Sequence, residues 1–284
     1  MNKFFLLIFV LSCTLSFVTC SKPTSQSSQT VKKESKAVTK DVAYFEQVLA
    51  HDEQMLGKES PAVAKDLNNL GQAWSDVGEF RSAIQYYEQA LDAYDQLYGK
   101  EHADVALVLY NLGDAWQELG DLQKAAQYFQ QALEILKKVY GQAHKDIASV
   151  LNSLGQVWNH LGDKNKAIAY FEEMVQVDIR IYGPQHAKVS SGYNFLGAAW
   201  QELGDFKKAI PNFEKALSID RKLYGNSDPA IARDSNYLGQ AYYALGDKKN
   251  AATYFKAAYQ IFEKAYGPEN SQTQIAKKWL DQCK

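Results

Sequence analysis

Apolar residues in 41–284 recur three and four positions apart rather than alternating, the spacing that gives a helix one buried face. The pattern predicts helices throughout this stretch and no strands. Its segments come in pairs, and the apolar frame returns every 42 residues. Tyr-Gly stands at Tyr98-Gly99, Tyr140-Gly141, Tyr182-Gly183, Tyr224-Gly225 and Tyr266-Gly267, with Leu56-Gly57 one step earlier. Leu-Gly keeps the same period at Leu70-Gly71, Leu112-Gly113, Leu154-Gly155, Leu196-Gly197 and Leu238-Gly239. An aromatic follows each of these glycines three residues later, at Trp74, Trp116, Trp158, Trp200 and Tyr242. Polar positions drift against the fixed frame: Arg81, Gln123, Asn165, Lys207 and Lys249 share one slot. That contrast marks repeated structure rather than repeated composition.

Between the two segments of each pair lies Gly78-Glu79, Gly120-Asp121, Gly162-Asp163, Gly204-Asp205 or Gly246-Asp247. Gly adopts the left-handed conformation that ends one helix, and an acid caps the next. Each pair is therefore predicted to be two antiparallel helices with a tight turn. Ala83, Ala125, Ala167, Ala209 and Ala251 follow the turn, with Tyr87, Phe129, Phe171, Phe213 and Phe255 four residues on. The small residue lets helices approach and the aromatic fills the space beside it. Met174 replaces the Ala found at 90, 132, 216 and 258, which predicts looser packing between the third and fourth repeats. Pro211 is expected to remove one backbone hydrogen bond from its helix. The tyrosines of the Tyr-Gly set are expected in the core.

These residues resemble the tetratricopeptide repeat, whose signature joins Leu-Gly, an aromatic, a turn Gly, and then Ala, aromatic and Ala in the second helix. The 42-residue period, the Tyr-Gly and the downstream His102, His144 and His186 are similar to the longer repeats of the kinesin light chain type. The resemblance covers about 41–284. It implies an all-α, right-handed superhelical α-solenoid of antiparallel helix pairs. Val42 to Leu56 matches only a second helix and 270–283 only a first, so the expected array has twelve helices. These form a starting half-repeat, five full repeats and a C-terminal capping helix.

The N-terminus changes the picture. Met1-Asn2-Lys3 precedes an uncharged run of 15 residues from Phe4 to Val18, the pattern of a secretory signal and short of the roughly 20 needed to span a bilayer. Thr19-Cys20 and the polar stretch after it resemble a bacterial lipoprotein signal, although Phe17 and Thr19 stand where that family prefers Leu and a small residue. Residues 1–19 are thus read as a signal peptide and Cys20 as the lipidation site, with a plain cleaved signal or an uncleaved anchor as alternatives. Residues 20–40 hold five Lys and one Glu and too few apolar side chains to offset ordering, and are read as a flexible basic tether. The resulting expectation is an exported protein of the cell envelope, lipid-anchored and facing the periplasm or exterior, or else secreted. With Cys13 removed and Cys20 acylated, Cys283 has no disulfide partner.

Charge and motifs narrow the chemistry. Residues 41–284 hold 25 basic and 32 acidic side chains, a net −7 with no basic footprint for nucleic acid. Gly-x-Ser-x-Gly, the phosphate-binding glycine loops, His-Glu-x-x-His and Cys-x-x-Cys are all missing from the sequence. No catalytic residue, cofactor or metal site is expected, and the chain reads as a non-enzyme. His102, His144 and His186 lie one repeat apart, too far to share a metal whose ligand bonds are about 2 Å. Ser60 and Asp228 fill the same slot, so the slot is read as a helix start.

The resemblance also implies which side chains face the concave groove. They are Asn68, Tyr110, Asn152, Asn194 and Asn236 in one slot, and Gln72, Asp114, Gln156 and Gln240 in another, with Ala198 completing the second. A ladder of carboxamides both donates to and accepts from a peptide backbone. Four such bonds at about 0.5–1.5 kcal/mol fall short of the roughly 8.2 kcal/mol of micromolar binding, so pockets near Tyr110, Tyr193 and Tyr243 are expected to add to them. Asp76, Asp114, Glu118 and Glu202 against Lys65 and Arg233 weakly favour a basic ligand. The expected function is a protein–protein interaction scaffold or adaptor that binds a peptide segment of a partner. Self-association is the structural alternative.

Overall fold

The computed structural model describes the backbone of residues 25–284 and the side chains of residues 41–284. The segment read as a signal peptide, and Cys20, lie outside the described residues. Twelve helices and no strand occur among them. Helix α1 (Ser25–Leu56) begins the array, followed by α2 (Pro61–Asp76), α3 (Phe80–Tyr98), α4 (Ala103–Glu118), α5 (Leu122–Tyr140) and α6 (Lys145–His160). Then come α7 (Lys164–Tyr182), α8 (Ala187–Glu202), α9 (Phe206–Tyr224), α10 (Pro229–Ala244), α11 (Lys248–Tyr266) and α12 (Ser271–Gln282). Each helix packs on the one before and the one after, the arrangement of an α-solenoid. The first helices of successive repeats also meet, α2 with α4 and α8 with α10.

Helix α1 runs back into the segment read from sequence as a tether. That segment contains no Gly and, after Pro23, no Pro, so nothing in it terminates a helix once Val42 to Leu56 has started one. No helix among the described residues is long and apolar enough to cross a membrane.

The local rules hold along the array. Gly162 turns the chain at φ +87°, and Asp163 then accepts from the Lys166 amide at 3.1 Å. Asp121, Asp205 and Asp247 do the same at 3.1 Å, while the longer Glu79 makes no side-chain cap. At the other turn, Nδ1 of His102, His144 and His186 accepts from the amide two residues on at 3.2–3.3 Å. Ser60 and Asp228 cap from the same slot. The histidines are helix caps, as the shared slot predicts.

Close helix approach depends on the Leu-Gly glycine. A Cβ on Gly155 would sit 2.4 Å from the Phe171 ring, and the equivalent glycines are equally tight against Tyr87, Phe129, Phe213 and Phe255. These rings are fully or almost fully buried.

Two expectations fail. The Tyr-Gly tyrosines are 38–49% exposed rather than buried. Each is the last residue of its helix, and Tyr98, Tyr140 and Tyr182 lie against the imidazoles of His102, His144 and His186, with ring centres 3.9–4.5 Å apart. Nor is packing loose at Met174, which is 4% exposed. The opposing helix carries Gly192 where other repeats have Asp66, Val108, Val150 and Asp234, and the methionine reaches that space: its Cε is 3.2 Å from where a Cβ would stand. Pro211 sits on an exposed face within an unbroken α9.

Candidate functional site

The groove positions named from sequence all lie on the row of first helices, α2, α4, α6, α8 and α10, which places them along one face. They are not equally free. Asn111 donates to the Asn68 oxygen at 2.9 Å, and the Tyr110 and Ser153 hydroxyls share a hydrogen bond at 3.4 Å. Both bonds cross from one repeat to the next. Gln72 donates to Asp76 at 2.8 Å and accepts from the buried Tyr87 hydroxyl at 3.3 Å. The face is thus closed by its own side chains in the first two repeats.

Farther along, the bridge partner disappears. The slot of Asn111 and Ser153 holds Phe195, Tyr237 and Trp279, whose rings stack on Phe171, Phe213 and Phe255 at 5.2–5.6 Å. The stacked rings put no carboxamide NH2 in that slot to donate as Asn111 does to Asn68, and Asn152 and Asn236 make no side-chain hydrogen bond among the described residues. Their carbonyl oxygens are buried without partners. Gln156 and Gln240 likewise have no bonded partner among the described residues and are half-buried. Buried polar groups are almost always paired, so these oxygens, with the equally unmet Asn194 oxygen between them, are a vacancy in the bonding pattern.

Asn194 is different from its neighbours in the ladder. It is 9% exposed and donates to Asp234 at 2.8 Å, inside a polar seam that sequence reasoning missed. Arg233 Nη2 reaches Asp220 and Asp234, each at 3.0 Å, and Ser190 donates to the Ala216 carbonyl at 3.2 Å. Asp178, Asp220 and Asp234 are all less than 5% exposed. The 42-residue register carried the signal: Asp178 and Asp220 occupy the slot of Tyr94, Leu136 and Phe262. The seam consumes the charge of Arg233, and Glu202 is paired with Lys164, so neither remains to select a ligand.

Asp114 is the groove carboxylate with an altered proton affinity. Burial pushes its pKa up to about 6, with Glu118 adding and the hydrogen bond from Tyr110 opposing. Burial likewise pushes Asp234 up, against the pull of Arg233.

Of the expected aromatic contributors, Tyr110 packs on Phe129 with ring centres 5.4 Å apart, and Tyr243 meets Trp279 edge-on at 5.4 Å. Tyr193 instead lines a hollow between the second helices α7 and α9, under Lys215. No group of three or more His, Cys, Asp or Glu among the described residues is arranged to hold a metal ion.

The tetratricopeptide repeat sequence pattern matches residues 42–96, 75–138, 146–222 and 189–264. No curated protein sequence matches the chain. Among solved structures, the chain is similar to BtubC (BKLC) from P. vanneervenii at 25% identity and TM-score 0.68, covering 84% of this chain and 94% of that one. It is similar at 20% identity and TM-score 0.65 to a kinesin light chain protein of nearly identical TPR-like repeats from Podosopora anserina, covering 73% and 99%. YrrB, described as a TPR protein with an unusual peptide-binding site, matches at 18% identity and TM-score 0.55 over 81% and 97%.

Proposed function

Because the chain belongs to the tetratricopeptide repeat family, a family of protein-interaction scaffolds, we propose that it is an adaptor that holds an extended segment of a partner protein along its first-helix face. The observation that carries this reading is the pair of unmet carboxamides at Asn152 and Asn236, one on either side of the Asn194 seam. A carboxamide turned about its last bond presents either its oxygen or its NH2 group, so each serves a passing peptide unit. Gln156 and Gln240 stand one helical turn farther on the same helices, and the half-buried Phe195 and Tyr237 supply apolar contact beside them. The binding surface therefore lies in the third to fifth repeats, not evenly along all five.

The reading extends to the cell envelope, with a lipid on Cys20 as the anchor or a secreted form as the alternative, and it is supported by the signal-like N-terminus and Cys20. A tether of about 20 residues would keep the array roughly 25 Å from the surface if it behaved as a coil, and would span about 30 Å if helical throughout. The joint substitution of Asn152 and Asn236 by Ala tests the groove: partner capture by the full chain falls while helical circular dichroism stays the same. Undiminished capture would reject it.

A further inference from the structure

A second vacancy lies between the second helices α7 and α9, with Tyr193 of α8 in its lining. One slot of the second helices holds Tyr44, Tyr86, Tyr128, Tyr170 and Tyr254, and only α9 breaks it, with Asn212. Tyr128, Tyr170 and Tyr254 reach toward the preceding repeat. The Tyr170 hydroxyl accepts from Gln130 at 3.2 Å. Tyr128 lies near enough to Glu88, the residue equivalent to Gln130, to feel its charge. Tyr254 stands in the same relation to Glu214. There a tyrosine hydroxyl also meets the carboxylate directly: Tyr242 donates to Glu214 at 3.3 Å while stacked on Tyr254, ring centres 5.5 Å apart.

In the fourth repeat the bridging ring is missing. Asn212 folds back onto its own helix, donating to the Lys208 carbonyl at 2.8 Å. Glu172, the counterpart of Gln130 and Glu214, has no bonded partner among the described residues. Between them opens a hollow of about 530 Å³ lined by Ala169, Glu172, Gln176, Tyr193, Asn212 and Lys215. That size falls within the roughly 300–1,000 Å³ of small-ligand sites. Lys215 stands 4.9 Å above the Tyr193 ring, and Glu173 beside it is already paired with Lys137 at 2.7 Å. Glu172 is thus the acceptor the hollow leaves open.

We propose that this hollow is a socket for a tyrosine side chain of a partner protein, whose ring takes the place left by Asn212 and whose hydroxyl donates to Glu172. The chain's own tyrosines show what the site accepts, because the repeats on either side fill the equivalent space with a phenol against Glu or Gln. Phenylalanine would fill the space but leave the carboxylate unmet. The site is independent of the first-helix face, so the two fail or succeed separately.

The test titrates N-acetyl-L-tyrosinamide and N-acetyl-L-phenylalaninamide into the full chain, following the side-chain NH2 resonances of Asn212 and Gln176 by NMR. Saturable shifts with the tyrosine compound favoured by about threefold to tenfold are expected, the span of one hydrogen bond. Asn212→Tyr, which restores the internal ring, abolishes the shift of Gln176. Glu172→Ala, a surface change that leaves the fold intact, makes the two compounds bind alike. Equal binding of the two compounds to the wild type, no shift with either, or unchanged binding to Asn212→Tyr with its helicity preserved would each overturn the proposal.

Discussion

The imidazole of His144 has two structural tasks: its Nδ1 accepts from the Asp146 amide at 3.3 Å, and its ring stacks on Tyr140 at 3.9 Å. Replacing it with Ala removes the cap and is expected to cost about 1 kcal/mol in a denaturant-melting experiment, whereas Asn restores most of it. Asp114 sets a pH dependence whose sign follows from burial. Its pKa rises from 3.8 to about 6 on folding, so between those values the folded chain holds a proton that the unfolded chain has lost. Its contribution to stability is therefore largest at low pH and is lost as pH rises to about 6. Asp114→Asn should gain stability relative to wild type at pH 7 and much less at pH 4, measured as paired denaturant midpoints. These single residues were partly legible in the sequence. The histidine cap followed from sharing a slot with Ser60 and Asp228, but the exposure of the Tyr-Gly tyrosines did not, because an aromatic at a helix end reads the same whether it faces the core or a neighbouring imidazole.

At the scale of the helix pair, tight approach makes large and small residues interdependent. Met174 is long where other repeats have Ala, and Gly192 is bare where they have Val or Asp. A Cβ on Gly192 would lie 2.7 Å from Val175 Cγ2 and 3.2 Å from Met174 Cε. Met174→Ala alone leaves a cavity and should cost about 2–5 kcal/mol. Gly192→Ala alone overpacks and should cost about 1–3 kcal/mol. The double variant should cost less than the sum, and a double-mutant cycle by chemical denaturation measures the coupling. Strict additivity would show that the two residues do not compensate. The sequence revealed Met174 as a departure but predicted looseness, since its compensating partner lies on the next helix and outside the signature. The buried seam of Asp178, Asp220 and Asp234 was hidden for a related reason: a signature records the slots that stay apolar, and these acids occupy slots it leaves unspecified.

For the whole molecule, the repeat period settled the architecture, down to the starting half-repeat and the closing α12. The distribution of free bonding groups could not be read the same way. Equivalent asparagines occupy four rungs of one ladder, yet Asn68 and Asn194 are bonded within the chain while Asn152 and Asn236 are not. What decides is whether the neighbouring repeat supplies a polar partner: Asn111 or Asp234 does, whereas opposite Asn152 and Asn236 the position of Asp234 holds Gly192 and Ala276. The first two repeats are self-bridged, while beyond them Asn152 and Asn236 lie unbonded on either side of the Asn194 seam, where the proposed reading puts the partner. The most direct measurement places a photo-crosslinking amino acid at Gln156 on the first-helix face, or at Arg81 on α3 in the self-bridged first repeat, of the full chain in intact bacterial cells. Adducts and the N-terminal residue are then identified by mass spectrometry. The account predicts a discrete partner protein captured from Gln156 but not from Arg81, lost in the Asn152→Ala, Asn236→Ala variant, on a chain whose first residue is acylated Cys20. Adducts formed equally from both positions, or only with another copy of the chain, would contradict it.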